Sequence, residues 1–181
     1  PPLSNPSYIA AGTGTSCATD DTGFVCWGGS EALRPPSGTI NKPTEFDIAT
    51  YHGCAIDDNE VKCWATEFAA IDVAEPPVLS NPKSISVADL NSCAIDDSGV
   101  VCWGSDSYGQ HSEAPELINP TQVVAGNGFT CALDDTGVQC WGRFEVKSIP
   151  ELIDPTFISA PIQSSYVCAV DSVGVKCWGN S

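Results

Sequence analysis

The 181-residue sequence contains no methionine, two histidines and only seven basic residues. No stretch of it approaches the roughly 20 consecutive apolar residues of a membrane span. The opening residues, PPLSNPSYIA, also lack the charged and apolar regions of a signal peptide. These absences predict a soluble, already mature chain without membrane insertion. The missing methionine agrees with a processed or excised segment.

Basic residues are outnumbered by 23 acidic ones, which give a net charge of −16 and are spread over the whole chain. Such a surface would repel a phosphate backbone. The charge therefore argues against nucleic acid and anionic membrane surfaces as partners and favours basic or divalent-cation-bridged ones. In a simpler interpretation, the acidity only keeps an extracellular protein soluble.

The two histidines, His52 and His111, lie outside any metal-binding or nucleophile motif such as HExxH or GxSxG. Both are expected to be ordinary loop or edge residues. No Asn-x-Ser/Thr acceptor occurs with a middle residue other than proline, so N-glycosylation is not expected. We therefore predict a protein that is not an enzyme and holds no cofactor.

Cysteine, by contrast, is abundant and regularly spaced. Its ten copies form five pairs with eight residues between partners: Cys17/Cys26, Cys54/Cys63, Cys93/Cys102, Cys131/Cys140 and Cys168/Cys177. Each second cysteine precedes a tryptophan, at Trp27, Trp64, Trp103, Trp141 and Trp178. The first cysteines lie 37, 39, 38 and 37 residues apart, a period that predicts a repeat array or a propeller. Because one such unit is too small to fold alone, neighbouring repeats must share their cores.

The constant pairing distance predicts one disulfide in each unit and an oxidising compartment, so we expect a secreted or cell-surface protein. Structural zinc is the alternative, but it usually needs Cys-x2-4-Cys knuckles, which are missing here. Each bridge would close a small loop within one repeat. Stability between repeats must then come from packing.

The cysteine segments, such as CAIDDSGVVCWG, predict β-hairpins with turns rich in Asp, Asn, Ser and Gly. Pairing Cys17 with Cys26 places Asp20 opposite Gly23 at the turn. Alternate residues face opposite sides of a strand, so each cysteine and its tryptophan point to different faces. The sheets must then be covered on both faces, as in stacked blades or solenoid layers. The tryptophans are expected to pack between blades rather than to form sugar-stacking platforms.

Two further elements precede each hairpin. NPSYIAAG and its four counterparts predict a strand that follows a turn. Residues 75–80, 114–118 and 149–153 are interpreted as a proline-tolerant edge strand. PPLSNP at the start of the chain echoes PPVLSNP at 76–82, so we expect units at about 5–40, 41–80, 81–118, 119–153 and 154–181. The last unit would be completed by residues 1–4 or by a neighbouring subunit.

Paired aspartates stand at four of the five hairpin tips: Asp20/Asp21, Asp57/Asp58, Asp96/Asp97 and Asp134/Asp135. They could be interpreted as glycosidase carboxylates, but an active site is seldom copied with every repeat. They could also bind calcium, although the alternating D-x-D-x-D-G spacing of a calcium loop is missing. Turn stabilisation is the better account.

The repeated Cys-Ala-x-Asp-Asp-x-Gly-Val-x-Cys-Trp-Gly with its period near 38 resembles the bacterial, cysteine-bridged form of the regulator of chromosome condensation repeat. The resemblance implies an all-β propeller with blades of three or four antiparallel strands. It also implies similarity to the secreted β-lactamase inhibitor propellers. That family usually has seven blades, whereas five are expected here. The predicted fold class is therefore an all-β, five-repeat, propeller-like array of short blades, each stapled by one disulfide.

The predicted function is that of a non-enzymatic extracellular structural or interaction protein. The complementary terminal pieces favour head-to-tail self-assembly into a surface fibre. The first alternative is a closed propeller that binds or inhibits another secreted protein through loops 28–40 and 104–113; a lectin is the second. The expected partner is a protein, either a second copy of the chain or another extracellular protein. For the lectin alternative the partner would be a sugar.

Overall fold

The computed structural model describes residues 1–29, 33–69 and 72–180, without the side chain of Phe144. It contains five three-stranded antiparallel sheets, each built from consecutive strands. Blade 1 comprises β1 (Tyr8–Gly12), β2 (Thr15–Asp20) and β3 (Gly23–Gly28); blade 2, β4 (Glu45–Ile48), β5 (His52–Asp57) and β6 (Glu60–Ala65); blade 3, β7 (Ser84–Val87), β8 (Asn91–Asp96) and β9 (Gly99–Gly104); blade 4, β10 (Gln122–Gly126), β11 (Phe129–Asp134) and β12 (Gly137–Gly142); blade 5, β13 (Phe157–Ser159), β14 (Ser165–Asp171) and β15 (Gly174–Asn180). A short 3-10 helix, Phe144–Val146, follows blade 4. The predicted all-β, five-repeat fold is confirmed.

Each hairpin has the register expected from its cysteines. Cys17 lies opposite Cys26, and Asp20 lies opposite Gly23. The same disulfide recurs in every blade, with Cα atoms 4.0 to 4.1 Å apart. Gly23 has a φ of 121°, which is unfavourable for residues with a Cβ atom. Blade 2 lacks this glycine and instead takes positive φ at Asp58 and Asn59, so its turn differs locally while the pairing is kept.

The glycine after most of the tryptophans is explained by a close backbone approach. Gly104 has a φ of 91°, and a Cβ atom there would lie 2.6 Å from the carbonyl oxygen of Leu90. Gly142 is in the same situation, with its Cβ position 2.6 Å from the carbonyl oxygen of Gly128. The Cys-Trp-Gly motif therefore combines a disulfide, a packing residue and a residue that lets the third strand approach the turn before the second strand.

The core consists of four apolar clusters, one between each pair of consecutive blades. Between blades 1 and 2, the ring of Phe46 packs edge-on against Tyr8 and Phe24, with centroid distances of 4.9 and 4.8 Å. The cysteines lie on the face towards the following blade and the tryptophans on the face towards the preceding one. Neighbouring repeats thus share their cores, as their small size requires.

The expected proline-tolerant edge strand is wrong. Residues 75–80, 114–118 and 149–153 are not strands. In the first of them, adjacent prolines at 76 and 77 remove two backbone donors, and contact with the hairpin is made mainly at its end. There the Ser80 amide donates to the Asp96 carboxylate and the Ser80 carbonyl accepts from the Asp97 amide, both at 2.9 Å. Each blade therefore has three strands and a non-strand segment attached at the turn.

Residues 1–4 belong to blade 1 and do not complete blade 5. The Ser4 amide donates to Asp20 and the Ser4 carbonyl accepts from the Asp21 amide, both at 2.9 Å. This is the contact that Ser80 makes in blade 3, so the sequence echo is real, but the segment joins the hairpin that follows it. The inner strands β1, β4, β7, β10 and β13 pack in succession, whereas β13 and β1 do not pack side by side in this way. Completion of the last unit by residues 1–4 is therefore not what this structure shows.

Candidate interaction surfaces on the terminal blades

The paired aspartates hold the turns together. The Asp134 carboxylate accepts hydrogen bonds from the amides of Ile118 and Thr136, both at 2.8 Å, and from the Thr136 hydroxyl at 2.7 Å. Burial opposes ionisation of Asp134, but these hydrogen bonds outweigh it and hold its pKa below the usual range. Asp135 accepts from the side-chain amide of Asn119 at 2.7 Å. Among the described residues, no three His, Cys, Asp or Glu side chains are grouped so that they could hold a metal ion.

The two histidines differ in their surroundings. The expectation of a loop or edge position is wrong for His52, which begins β5 and is completely buried. Its Nε2 lies 2.8 Å from the Ser92 hydroxyl, and burial lowers its pKa to about 4. His111 lies in a loop, as expected, and burial also lowers its pKa. His52 is thus a neutral core residue between blades 2 and 3.

Four tryptophans each donate a hydrogen bond to the loop that follows the preceding blade, and the sequence analysis did not predict these bonds. Their indole N–H groups donate to backbone carbonyls as follows: Trp64 to Leu33 at 2.7 Å, Trp103 to Val73 at 3.1 Å, Trp141 to Gln110 at 2.8 Å and Trp178 to Val146 at 2.9 Å. Each acceptor is a buried residue of the loop after the preceding blade. We call each acceptor carbonyl, with the loop that carries it, a tryptophan socket. Loops 28–40 and 104–113, which the sequence analysis favoured as binding loops, thus supply two of these sockets. Residues 30–32 of the first loop lie outside the described residues.

Trp27 of blade 1 stands apart from this series. It is only half-buried, and its indole has no hydrogen-bond acceptor within the part of the chain that the structure describes. It lies on the upstream face of blade 1, which we define as the face bearing Ile9, Ala11 and Trp27. In the other blades the corresponding face is covered by the preceding blade. Ile9 is 64% exposed, whereas its equivalent Ile158 in blade 5 is fully buried.

The opposite end of the array is uncovered as well. Phe157, Val170 and Val175 are aligned across the three strands of blade 5 and therefore share one face. We call this row the downstream face. The equivalent row of blade 4 packs on blade 5, and its Val138 is only 8% exposed, whereas Val175 is 69% exposed and Phe157 52%. Both ends of the array thus present some exposed apolar side chains at positions that are buried between internal blades, although Ala18, opposite Ile9 on the upstream face, is fully buried.

Polar side chains complete the contacts between inner strands. Asp47 of β4 accepts from the Val87 amide of β7 at 2.8 Å. Ser86 of β7 accepts from the Ala125 amide of β10 at 3.0 Å. The Gln122 side chain of β10 accepts from the Ile158 amide at 2.8 Å and donates to its carbonyl at 2.9 Å. Side chains of one inner strand thereby satisfy the free backbone edge of the next.

Two carboxyl groups on the inner strand β4, those of Glu45 and Asp47, are unusual because they lie at partly buried positions. Burial raises the pKa of Glu45 to about 7 and that of Asp47 to about 6, although both accept hydrogen bonds. Tyr8, which donates to Glu45, also has a raised pKa because of burial and of these nearby carboxylates.

We expect Glu45→Gln to stabilise the protein more at pH 8 than at pH 5. The folded state raises the pKa of Glu45 from 4.5 to about 7, so its stabilising contribution is present below pH 4.5 and is lost as pH rises through about 7. Solvent reaches part of this side chain, which limits the difference to about 1 kcal/mol. Urea unfolding at the two pH values measures it. The exposed Glu116→Gln is the matched control, and an equal effect of Glu45→Gln at both pH values would contradict the prediction.

These features define a class: a disulfide-stapled propeller whose terminal blades are uncovered. No helix among the described residues is long and apolar enough to cross a bilayer. Residues 121–145, which include all of blade 4, match the family model of the regulator of chromosome condensation (RCC1) repeat. A comparison with curated proteins gives no match. The RCC1 repeat expected from the sequence is thus confirmed, and a match to this repeat falls where Cys131, Cys140 and Trp141 lie.

Solved structures show the same fold. The entire ectodomain of the receptor kinase CR4 from Physcomitrella patens is 20% identical, with a TM-score of 0.80 over 99% of this chain and 53% of that one. The CRINKLY WD40 ectodomain of ACR4 from Arabidopsis thaliana is 20% identical, with a TM-score of 0.71 over 94% of this chain and 64% of that one. Prp20p from Saccharomyces cerevisiae is 13% identical, with a TM-score of 0.73 over 96% and 57%. The chain therefore spans between about half and two thirds of the length of these structures.

Proposed function

We propose that this chain is a non-enzymatic extracellular structural protein that assembles head to tail with further copies of itself. The observation that carries the proposal is the exposure of two apolar blade faces, Ile9 on blade 1 and Phe157 and Val175 on blade 5. Every equivalent face between these blades is buried against a neighbour. Apolar side chains that are exposed together on one face of a folded protein favour an interaction site there.

An extracellular location is supported by five disulfides, which persist in oxidising compartments. Two of the similar structures are receptor-kinase ectodomains, in agreement with that setting. The proposal that the protein is not an enzyme is supported by the positions of the side chains that were considered as catalytic candidates. The aspartate pairs are engaged in turns, and His52 is enclosed in the core.

A protein partner is supported by the use of this fold elsewhere. Prp20p, which is yeast RCC1, binds Gsp1p and histones, and it has been crystallised with Kap60. The lectin alternative has less support because Trp64, Trp103 and Trp141 are buried between blades and offer no open stacking surface. Within the interaction class, we favour a second copy of the chain as the partner.

The test is light scattering of the native, unreduced protein over a range of concentrations, with electron microscopy of the same samples. We expect a mass that grows with concentration and elongated or curved assemblies. Because each copy carries a net charge of −16, screening by salt should strengthen association between 0.05 and 0.5 M NaCl. A mass of 18.9 kDa at every concentration and salt level would exclude self-assembly.

A further inference from the structure

The inner strands of all five blades surround one central cavity of about 240 Å³. This volume lies below the roughly 300–1,000 Å³ of pockets that take drug-sized ligands. The cavity is lined by polar residues that include Glu45, Asp47, Ser84 and Gln122, and none of its lining residues in the described part of the chain is basic. It therefore suits a small ligand that carries a positive charge.

One end of the cavity is crossed by the loop between β13 and β14. In that loop the Gln163 side-chain amide donates to the Thr50 hydroxyl at 3.0 Å and to the Asp89 carboxylate at 3.3 Å. The Gln163 carbonyl accepts from the Asn127 side chain at 3.5 Å. Thr50, Asp89 and Asn127 lie in the turns between the first and second strands of blades 2, 3 and 4. Gln163 thus joins these turns across the axis, and a ligand would enter from the opposite end.

The opposite end, which we call the mouth, is formed by the first residue of each inner strand. These five residues occupy equivalent positions in the strand register and all line the cavity: Tyr8, Glu45, Ser84, Gln122 and Phe157. The mouth thus combines one carboxylate with two aromatic rings, a hydroxyl and an amide.

The Glu45 carboxylate at the mouth has no cationic partner. It accepts from the Ser84 hydroxyl at 3.5 Å, and the Tyr8 hydroxyl and the Ile85 amide also donate to it. No lysine, arginine or histidine pairs with it among the described residues. Since an ionised carboxylate has about four acceptor sites, Glu45 can still accept from a ligand.

Phe157 supplies a second recognition element. Its side chain is 52% exposed, and it stacks on no other aromatic ring within the described ranges. The face of such a ring attracts a cation within about 6 Å of its centroid. A ring beside an unpaired carboxylate favours an organic ammonium over a metal ion. Calcium takes roughly six to eight oxygen ligands, and no three acidic, histidine or cysteine residues are grouped in the part of the chain that the structure describes.

We propose that the mouth binds a primary ammonium group, with the Glu45 carboxylate as its counter-charge and the Phe157 ring as its cation–π partner. A free small amine and the lysine side chain of a partner protein share this chemistry. The site lies within one chain, so it does not depend on self-assembly.

Binding should strengthen as the pH rises from 5 to 8. Burial raises the pKa of Glu45 to about 7, so this carboxyl group is largely neutral at pH 5 and ionised at pH 8. The titratable groups that face it are Tyr8 from β1 and Asp47 from its own strand, and β7 faces it with Ser84 and the Ile85 amide. Because an ammonium group favours the ionised carboxylate, its affinity should be about tenfold or more weaker at pH 5.

The experiment is a titration of the native, unreduced protein with n-butylammonium chloride at constant ionic strength, followed by NMR chemical shifts of the backbone amides. We expect shifts at Tyr8, Ser84 and Phe157 and a dissociation constant on the order of 1 mM at pH 8. Neutral n-butanol should cause no such shifts. A pentapeptide with one central lysine distinguishes the two sources: tighter binding by tenfold or more supports a partner's lysine, and equal affinity supports a free amine.

Two variants and a matched control test the residues. Glu45→Gln keeps the size of the side chain and removes its charge, so it should weaken binding by roughly tenfold and abolish the pH dependence. Phe157→Leu should weaken binding by roughly threefold. Glu116→Gln, at an exposed position that does not line the cavity, should bind as the wild type does.

Three results would overturn the proposal. Equal binding by Glu45→Gln and the wild type would mean that the ammonium ion is only a counterion of an acidic chain. Tighter binding of calcium chloride at the same residues would make the mouth a metal site. The absence of shifts at the mouth at millimolar n-butylammonium would mean that it binds no ammonium group. Each of these results leaves the proposed self-assembly, which is measured by mass, unaffected.

Discussion

Reduction of all five disulfides is expected to unfold the protein at room temperature. Each bridge closes a loop between cysteines nine positions apart, which contributes about 2.5 kcal/mol by the chain-entropy relation. Five such contributions amount to roughly 10 kcal/mol or more, which is comparable to the whole stability of a typical domain, about 5 to 15 kcal/mol. Packing between blades is therefore expected to be insufficient once the hairpins are open.

Circular dichroism in the presence of a reducing agent, with a count of free thiols, measures this effect. Removal of one bridge by Cys93→Ala together with Cys102→Ala should cost about 2 to 3 kcal/mol and leave the fold intact. The same pair of changes at Cys168 and Cys177 is the comparison for a terminal blade. An unchanged melting temperature after ten thiols have appeared would contradict the expected role of the bridges.

The parts of the fold that could be predicted from the sequence are local. Cys17 and Cys26 fix a register by their spacing, and Asp20 and Gly23 meet at the turn because only two residues separate them. Such contacts are short in sequence and recur in every blade, so one pattern describes all of them. The fold class followed because five small units with two apolar faces must stack.

The parts that could not be predicted depend on contacts between blades. The tryptophan sockets use backbone carbonyls, so the residue that provides the carbonyl can vary among Leu33, Val73, Gln110 and Val146. The only signal is a nearly constant offset, 30 to 32 residues before the tryptophan. The expected loop or edge position of His52 is wrong for the same reason. Its burial depends on blade 3, where Ser92 contacts it, and not on its own strand.

The segments before each inner strand show a further limit of sequence patterns. The recurrent segments at 114–118 and 149–153 are expected to form a proline-tolerant edge strand, but strand formation needs a partner with free backbone groups. These segments instead meet the turn of their own hairpin, where Asp134 and Asp171 accept from the amides of Ile118 and Ile153. The aspartate pattern was correctly attributed to the turns, yet its second partner lay outside the hairpin.

Trp141→Ala is expected to cost about 3 to 5 kcal/mol, the usual range for loss of a buried tryptophan. Trp141 is nearly inaccessible to solvent, and its indole donates to the Gln110 carbonyl at 2.8 Å. The substitution would leave a cavity between blades 3 and 4 and remove that hydrogen bond. Urea unfolding of the unassembled protein at low concentration measures the loss.

Trp27→Ala is the matched control, because it removes the same side chain from the same strand position in a blade without a preceding neighbour. Trp27 is half-buried and lacks a socket within the described residues, so the expected cost is below about 1 kcal/mol. Equal losses for the two variants would mean that the tryptophans stabilise their own sheets. A large difference would instead assign their contribution to the contact between blades, which is the contact that blade 1 leaves open to a partner.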